Sequence, residues 1–313
     1  MNYSQVIKKE ILSKHIKDEH CKRAFLAGLI RGSGVLFEQD GLIGIDFKVG
    51  SKQAEIIVLD CLNTCYGLQE EFIESKSLGK KDKFTISIFG KIAIKILTDL
   101  EVLKKYKGEY TVNFNMYGGT VTSKECCLRA FFRGLFIGCG SCTVPSKDND
   151  GSTGYHLQLA FSHPEPAQAT LEQLLKFNID CKITRRKEHF IAYIKSAEAI
   201  KDFIAFLPCP VTVLNITDLM INREISNNSN RQKNCDIANL NRQVEAVAKQ
   251  LEAIKKIEEK GFLKNLKQDL QDTARARLNN PTDTLIELSE KLGISKSCLN
   301  HRLRKLVEIS NKQ

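Results

Sequence analysis

The sequence predicts an α+β fold in which a duplicated α-β-β-α-β-β-α domain is followed by an all-α domain. A glycine-rich helical segment occurs twice, about one hundred residues apart, and the same succession of alternating and helical patterns follows each copy. After residue 207 the alternation stops, and apolar residues recur at helical spacing. A chain of 313 residues is also longer than one hydrophobic core usually supports. We therefore expect domains at residues 1–207 and 236–313, joined by a linker at residues 208–235.

The two copies begin with closely similar segments, CKRAFLAGLIRGSGVLF at residues 21–37 and CLRAFFRGLFIGCGSCT at residues 127–143. We place the copies at about residues 21–103 and 123–207, connected by residues 104–122. The first copy predicts strands at 35–49, 69–75 and 83–89 and helices at 51–65 and 91–103. The second predicts strands at 142–145, 155–162, 181–186 and 190–195 and helices at 166–177 and 197–207. Its insertion PSKDNDGSTG, residues 145–154, consists of turn residues and predicts a mobile hairpin tip.

Small residues lie at helical spacing in both repeated segments, at Gly28, Gly32, Gly34, Gly134, Gly138 and Gly140. Glycine costs about 1 kcal/mol inside a helix, so a compensating contact is expected. A face without side chains lets two helix backbones approach closely. We expect the two glycine-rich helices to pack on each other.

The segment FLAGLIRGSG resembles the LAGLIDADG motif of homing endonucleases, whose paired helices form the seam of an αββαββα duplication. In that family the motif ends in an acidic residue that binds the catalytic metal. The matching residues are Ser33 and Cys139, and the other acidic position of the motif holds Arg31 and Ile137. Because Mg²⁺ needs hard oxygen ligands and negative charge, a hydroxyl and a thiol do not replace two carboxylates. We expect the fold without a catalytic or metal site, with a residual metal-dependent endonuclease as the alternative.

The segment TLIELSEKLGISKSCLNHRLRKL, residues 284–306, predicts a helix-turn-helix. Thr284 begins a capping box with Glu287, Gly293 ends the first helix, and Ser295 caps the second. Apolar residues suited to packing two steeply crossed helices lie between and after them, at Leu288, Leu292, Ile294 and Leu299.

The second helix is expected to enter the major groove of double-stranded DNA, because Asn, Arg and His address base edges while Lys and a helix N-terminus hold phosphates. The predicted contact residues are Thr284, Ser295, Lys296, Ser297, Asn300, His301, Arg302, Arg304 and Lys305. A basic turn in the N-terminal domain forms a second candidate, with Lys182, Arg185, Arg186 and Lys187. In both places a solvated charged face is the alternative.

An amphipathic helix is predicted upstream, with its apolar stripe at Leu240, Val244, Val247, Leu251, Ile254 and Ile257. The pattern continues after a break at Gly261, with Leu263, Leu266, Leu270 and Ala274. The heptads are too short to favour a coiled coil, so we expect burial against the motif helices. The basic polar stretch 222–234 is interpreted as a linker or as a second contact to the DNA backbone.

Composition restricts the class of partner and the compartment. The net charge of +10 favours a polyanion, although charge alone does not separate DNA, RNA and an acidic membrane. No stretch of about 18 apolar residues and no signal-peptide pattern occurs, which predicts a cytoplasmic protein without a membrane partner. Eleven Cys residues without framework spacing indicate reduced thiols.

Spacing within the sequence indicates neither a metal nor a cofactor. Cys139 and Cys142 form a lone CxxC, which is interpreted as a helix end because no second pair lies at zinc spacing. The six His residues match no metal-binding pattern.

The combination of a degenerate, duplicated LAGLIDADG domain and a helix-turn-helix resembles the WhiA family of bacterial regulators over essentially the whole chain. The segment RQKNCDIANLNR, residues 231–242, is similar to the family's stretch between the domains. The resemblance implies a nucleoid-associated, DNA-binding transcription factor without enzymatic activity, linked to sporulation, cell division or chromosome segregation. An N-terminal domain that mainly binds RNA polymerase or another regulatory protein is the alternative. Neither the operator sequence nor the oligomeric state is indicated.

Overall fold

The structure, a computed structural model, describes residues 2–68, 74–77, 83–145 and 154–312. It divides into two compact units, Met1–Asn222 and Arg223–Gln313. The boundary lies inside the predicted linker 208–235, which from residue 210 onward forms the first half of α8 (Pro210–Glu259), a helix of 50 residues. Proline is tolerated in the first turn of a helix, and neither Gly nor Pro follows until Gly261, so nothing in the sequence interrupts the helix earlier.

The first unit contains two copies of the predicted α-β-β-α-β-β-α order. The first copy consists of α2 (Glu19–Ser33), β1 (Val35–Gln39), β2 (Leu42–Val49), α3 (Lys52–Tyr66), β3 (Glu74–Ser77), β4 (Phe84–Phe89) and α4 (Lys91–Asp99). The second consists of α5 (Glu125–Cys139), β7 (Gly140–Thr143), β8 (His156–Phe161), α6 (Pro164–Leu175), β9 (Lys182–Arg186), β10 (His189–Ile194) and α7 (Ala197–Phe206). The antiparallel sheets have equivalent strand orders, β1-β2-β4-β3 and β7-β8-β10-β9. The predicted duplication and fold class are confirmed.

Two parts of the first unit were not predicted. Helix α1 (Tyr3–Ser13) precedes the first copy and buries Tyr3, Ile7 and Ile11, an i, i+4, i+8 stripe hidden among charged residues. Between the copies, where only a connection was expected, β5 (Leu103–Tyr106) and β6 (Glu109–Val112) form a hairpin, which is followed by a 3₁₀ turn at Thr120–Thr122.

Parts of two sequence predictions lie outside the described residues. The predicted hairpin tip falls almost entirely on residues 146–153, and the predicted strand at 69–75 is described only from residue 74 onward. Of that predicted strand, only residues 74 and 75 are described, and both belong to β3.

Helices α2 and α5 pack backbone against backbone. A Cβ atom added at Gly28 would lie 1.9 Å from the carbonyl oxygen of Phe131, and one added at Gly134 would lie 2.0 Å from that of Phe25. Further along the pair, Gly32 faces the backbone of Gly138. Equivalent residues of the two copies therefore meet, so the helices run parallel and their first turns lie at the same end of the seam.

The second unit is helical. After α8 come a 3₁₀ turn (Phe262–Asn265), α9 (Gln268–Asn279), α10 (Leu285–Lys291) and α11 (Lys296–Asn311). Its core contains Ile254, Ile257, Leu270, Ala274, Leu288, Leu299, Leu303 and Leu306. Burial of the whole α8 stripe was a wrong prediction, since Leu240 and Val244 remain 59% and 60% exposed. These two side chains line an open cleft opposite Ile286 and Lys296, and the stripe is buried only further along α8, at Ile254 and Ile257.

Within the described ranges, no helix combines the length and the apolar character that a membrane crossing requires.

Candidate nucleic-acid interface

Side-chain caps fix the first turns of both α10 and α11. The backbone N–H of Thr284 donates to Glu287 Oε2 at 2.8 Å, and the N–H of Glu287 donates to Thr284 Oγ1 at 3.3 Å. The first of these bonds lowers the pKa of Glu287 by stabilising its carboxylate. Gly293 adopts a φ of +62°, and Ser295 Oγ accepts from the N–H of Cys298 at 3.2 Å. The hydroxyls of Thr284 and Ser295 act as caps and retain a hydrogen each for a phosphate oxygen.

Helix α11 has one apolar and one polar face. Leu299, Leu303 and Leu306 are buried in the core of the second unit. The opposite face exposes side chains at positions i, i+4, i+7 and i+8, namely Ser297, His301, Arg304 and Lys305. Lys296 is exposed in the first turn, whereas Asn300 is half-buried at the flank. Six of the predicted residues thus lie on or beside one accessible surface, which we call the α11 face.

Arg302 was predicted to face solvent, but it is only partly exposed. Its side chain is 22% exposed, and its Nη2 atom lies 3.3 Å from Oδ2 of Asp269 on α9. A phosphate that reached this guanidinium would compete with a carboxylate already in place. Arg302 therefore links two helices of the unit in addition to any role at the surface.

The basic turn of the first unit is the β9–β10 hairpin. Arg186 pairs with His189, which leaves a two-residue turn in which Lys187 has a φ of +54°. Because side chains alternate along a strand, Lys182 and Arg186 share one face of the sheet, while Arg185 lies on the other. The guanidinium of Arg185 lies 5.6 Å from the centre of the Phe190 ring. The structure thus groups Lys182 with Arg186 and separates Arg185 from them.

Polar residues that sequence reasoning missed share the face of Lys182 and Arg186. The strand register places Gln158, Thr184 and Tyr193 on this face, which we call the polar sheet face. None of the described residues in β7–β10 is acidic. Alternation along each strand shows which side chains share a face within that strand. Residues of different strands can be assigned to the same face only once the strand register is known.

The equivalent face of the first sheet has a different character. Leu42 and Phe89 are 43% and 56% exposed there, and Val35 is exposed beside them. The neighbouring carboxylate of Asp46 accepts a hydrogen bond of 2.7 Å from Ser87 Oγ. The two copies therefore share a fold and present chemically different surfaces.

The ends of α2 and α5, where the LAGLIDADG resemblance implies a divalent cation, do not suit one. Ser33 Oγ donates to the carbonyl oxygen of Lys48 at 2.8 Å, and burial raises the pKa of the Cys139 thiol to about 12. Arg31 donates to the carbonyl oxygens of Glu101, at 2.8 Å, and Asn113. Burial lowers the pKa of Arg31 to about 10, which leaves it a cation at neutral pH. A neutral hydroxyl and a protonated thiol are poor ligands for Mg²⁺, and a nearby cation repels the ion.

Comparison with known proteins agrees with this architecture. The family model of the WhiA LAGLIDADG-like domain matches residues 128–226, and that of the WhiA C-terminal HTH domain matches residues 229–310. A protein of Bacillus subtilis is 32% identical over 314 residues, covering 99% of this chain and 96% of its own. One of Caldicellulosiruptor saccharolyticus is 30% identical over 317 residues, covering 99% and 95%. Both bear the name "Probable cell division protein WhiA".

A solved structure shows the same fold. The crystal structure of full-length WhiA from T. maritima superimposes with a TM-score of 0.59 at 24% sequence identity, covering 100% of this chain and 99% of that one. Both family models match within the chain, and relatives at 30% identity or more align with nearly all of it. The chain therefore belongs to the WhiA family.

Proposed function

We propose that the protein is a sequence-specific transcriptional regulator that binds double-stranded DNA without cleaving it. The observation that carries the proposal is the α11 face, which is basic and lies opposite the buried leucines of a capped helix-turn-helix. Helices of this motif place their N-terminal residues against base edges in the major groove. The net charge of +10 adds long-range attraction to a polyanion.

The residues of α11 divide by chemistry into two groups. Asn300, His301 and Arg304 carry donors and acceptors suited to base edges, and Arg is the most frequent partner of guanine. Lys296, Lys305 and the free N–H groups at the start of α11 suit phosphate oxygens. The first group is expected to select the sequence, and the second to fix the helix on the DNA.

The chain lacks the ligands that DNA cleavage by this fold would need. Phosphodiester hydrolysis by this fold requires a divalent cation held by carboxylates, and Ser33, Cys139 and Arg31 form an environment that repels one. Folded, DNA-binding protein is therefore expected to leave plasmid DNA intact.

The proposal is tested by selecting bound sites from random duplexes and then measuring affinities by fluorescence anisotropy. Arg304→Ala should weaken the selected site by about tenfold or more and reduce its preference over random DNA. Lys305→Ala should weaken both DNAs equally, and Lys255→Ala on α8 should change neither. Failure to enrich any sequence, or an unchanged preference in Arg304→Ala, would refute recognition by α11.

A second role for the first unit, as a contact for RNA polymerase or another regulatory protein, is favoured by the exposed Val35, Leu42 and Phe89. The polar sheet face instead favours contact with DNA. The two roles differ in one observable, because phosphate contacts from the first unit steepen the salt dependence of DNA binding, whereas a protein platform leaves it unchanged.

The biological setting is proposed from the relatives. Their names connect them with cell division, so we infer that the regulated genes act in that process. A regulator of this kind acts at the nucleoid in the cytoplasm, and sporulation is a further process to examine in organisms that form spores.

A further inference from the structure

Two dipeptides from different copies meet at the beginning of the helical seam, His20-Cys21 on α2 and Cys126-Cys127 on α5. One ligand atom from each of the four residues lies within 4.8 Å of all the others. His20 Nδ1 is 3.3 Å from Cys21 Sγ and 3.2 Å from Cys127 Sγ. Four side chains of types that bind transition metals thus converge on one point.

The duplication explains why these residues meet. Helices α2 and α5 run parallel with Gly28 and Gly134 in backbone contact, so their first turns lie side by side. Each copy supplies two neighbouring residues, and neither copy alone carries a set of four. The sequence consequently shows no metal-binding spacing, although the fold assembles one.

We propose that His20, Cys21, Cys126 and Cys127 bind one zinc ion that joins the two copies of the first unit. Three thiolates and one imidazole form a Cys₃His set, which is typical of closed, tetrahedral structural zinc sites. The set contains no carboxylate, so it favours Zn²⁺ over Mg²⁺ or Ca²⁺. This ion is unrelated to the divalent cation of homing endonucleases, whose position lies at the opposite end of the same helices.

The spacing of the ligand atoms suits a mononuclear ion. Zinc–sulfur bonds of about 2.3 Å in a tetrahedron place the sulfur atoms about 3.8 Å apart. The ligand atoms are now at most 4.8 Å apart, so they must approach one another by about 1 Å on binding. Side-chain rotation is enough for that movement.

Burial and charge also suit the site. Cys21 and Cys127 are buried, whereas His20 and Cys126 are exposed and leave an entry path for the ion. On binding Zn²⁺ the three thiols release their protons, and the neutral imidazole donates its lone pair. The loaded site carries a single net negative charge, which two helix N-termini stabilise.

The test uses the full chain, purified under reducing conditions and stripped with a chelator. Titration with Co²⁺ should give one equivalent of binding, with visible d–d bands of a tetrahedral ion and a near-ultraviolet thiolate-to-cobalt band. One equivalent of Zn²⁺ should remove both. Protein purified without chelator should contain one zinc per chain by mass spectrometry.

Variants at the exposed ligands separate binding from folding. Cys126→Ser and His20→Asn should keep the wild-type circular dichroism. They should lower Co²⁺ affinity by more than the roughly tenfold to hundredfold loss caused by changing residues that only hydrogen-bond to a metal ligand. Cys235→Ser, an exposed thiol on α8, is the matched control and should bind Co²⁺ as wild type does. The proposal is overturned if the reduced wild type gives no cobalt bands, if bands persist in Cys126→Ser/Cys127→Ser, or if the only product is a Cys21–Cys126 disulfide.

Discussion

Asp269 holds Arg302 from the neighbouring helix, with Oδ2 of the acid 3.3 Å from Nη2 of the guanidinium. The pair ties α9 to α11 next to the α11 face. Because the acid is 69% exposed and the arginine 22%, solvent screens the pair, and about 0–1 kcal/mol of stability is the expected contribution. The pair therefore matters more for the charge available to DNA than for the stability of the unit.

The first prediction compares Arg302 with Arg304, which is exposed and has no ion-pair partner among the described residues. Arg304→Ala should weaken DNA binding more than Arg302→Ala, because only Arg302 already has an acid beside it. Asp269→Asn should increase affinity, since it releases Arg302 and removes a negative charge from the interface. Anisotropy titrations of the three variants on one duplex measure this order. A larger loss for Arg302→Ala would contradict it.

The second prediction concerns the capping box. Thr284→Ala should lower the free energy of unfolding by about 1 kcal/mol, because the N–H of Glu287 loses its acceptor. Urea denaturation, followed by circular dichroism, measures the change. Thr282→Ala, two residues earlier in the turn, is the control and should have less effect.

The third prediction follows from the lowered pKa of Glu287. A carboxyl whose folded-state pKa is depressed stabilises the fold above its unfolded value, and this contribution is lost as pH falls through the folded-state value. Wild type should therefore be more stable than Glu287→Gln at pH 7, and the difference should shrink on acidification below about pH 4.5, the ordinary pKa of the group. Urea midpoints measured across this range provide the test. A difference that grows towards low pH would contradict the assignment.

The fourth prediction concerns the seam. Gly28→Ala would place a methyl group 1.9 Å from the carbonyl oxygen of Phe131, and backbone cannot rotate away as a side chain can. We expect a loss of about 3 kcal/mol or more in the free energy of unfolding, at the upper end of overpacking effects. Gly50→Ala is the control, because a Cβ there meets nothing within 4 Å. Equal stability of the two variants would show that the helices separate easily.

Much of this architecture was predictable because its signals are local. Thr284, Gly293 and Ser295 define the helix-turn-helix by caps and a turn that need only neighbouring residues. The repeated glycines likewise indicate close helix packing without knowledge of the partner. The strands of the two four-stranded sheets followed from alternation as far as they are described, whereas the β5–β6 hairpin did not.

What escaped prediction depends on contacts between distant segments. Ion pairing of Arg302 with Asp269 spans 33 residues and two helices. The separation of Arg185 from Lys182 and Arg186 depends on the register of β9, and the exposure of Leu240 depends on how closely the other helices approach α8. His20 and Cys127 cluster only because α2 and α5 of the two copies pack side by side. Sequence patterns show the elements, whereas these sites arise from their assembly.

The fifth prediction decides whether the first unit contacts DNA. Lys182 and Arg186 lie on the polar sheet face, and each phosphate contact contributes about 0.9 to the slope of log K against log salt concentration. If both contact phosphates in the full-length complex, Lys182→Ala/Arg186→Ala should reduce that slope by nearly two while leaving the preferred sequence unchanged. Anisotropy titrations at several salt concentrations give the slope.

Arg185 supplies the matched control, because it has the same charge on the same strand and lies on the opposite face against Phe190. Arg185→Ala should therefore leave the slope as it is in the wild type. A slope unchanged in the double variant would remove the first unit from the DNA interface and favour the protein-binding role of Leu42 and Phe89. A slope reduced equally by Arg185→Ala would show that the charge of the whole hairpin acts at long range, without a specific contact from the polar sheet face.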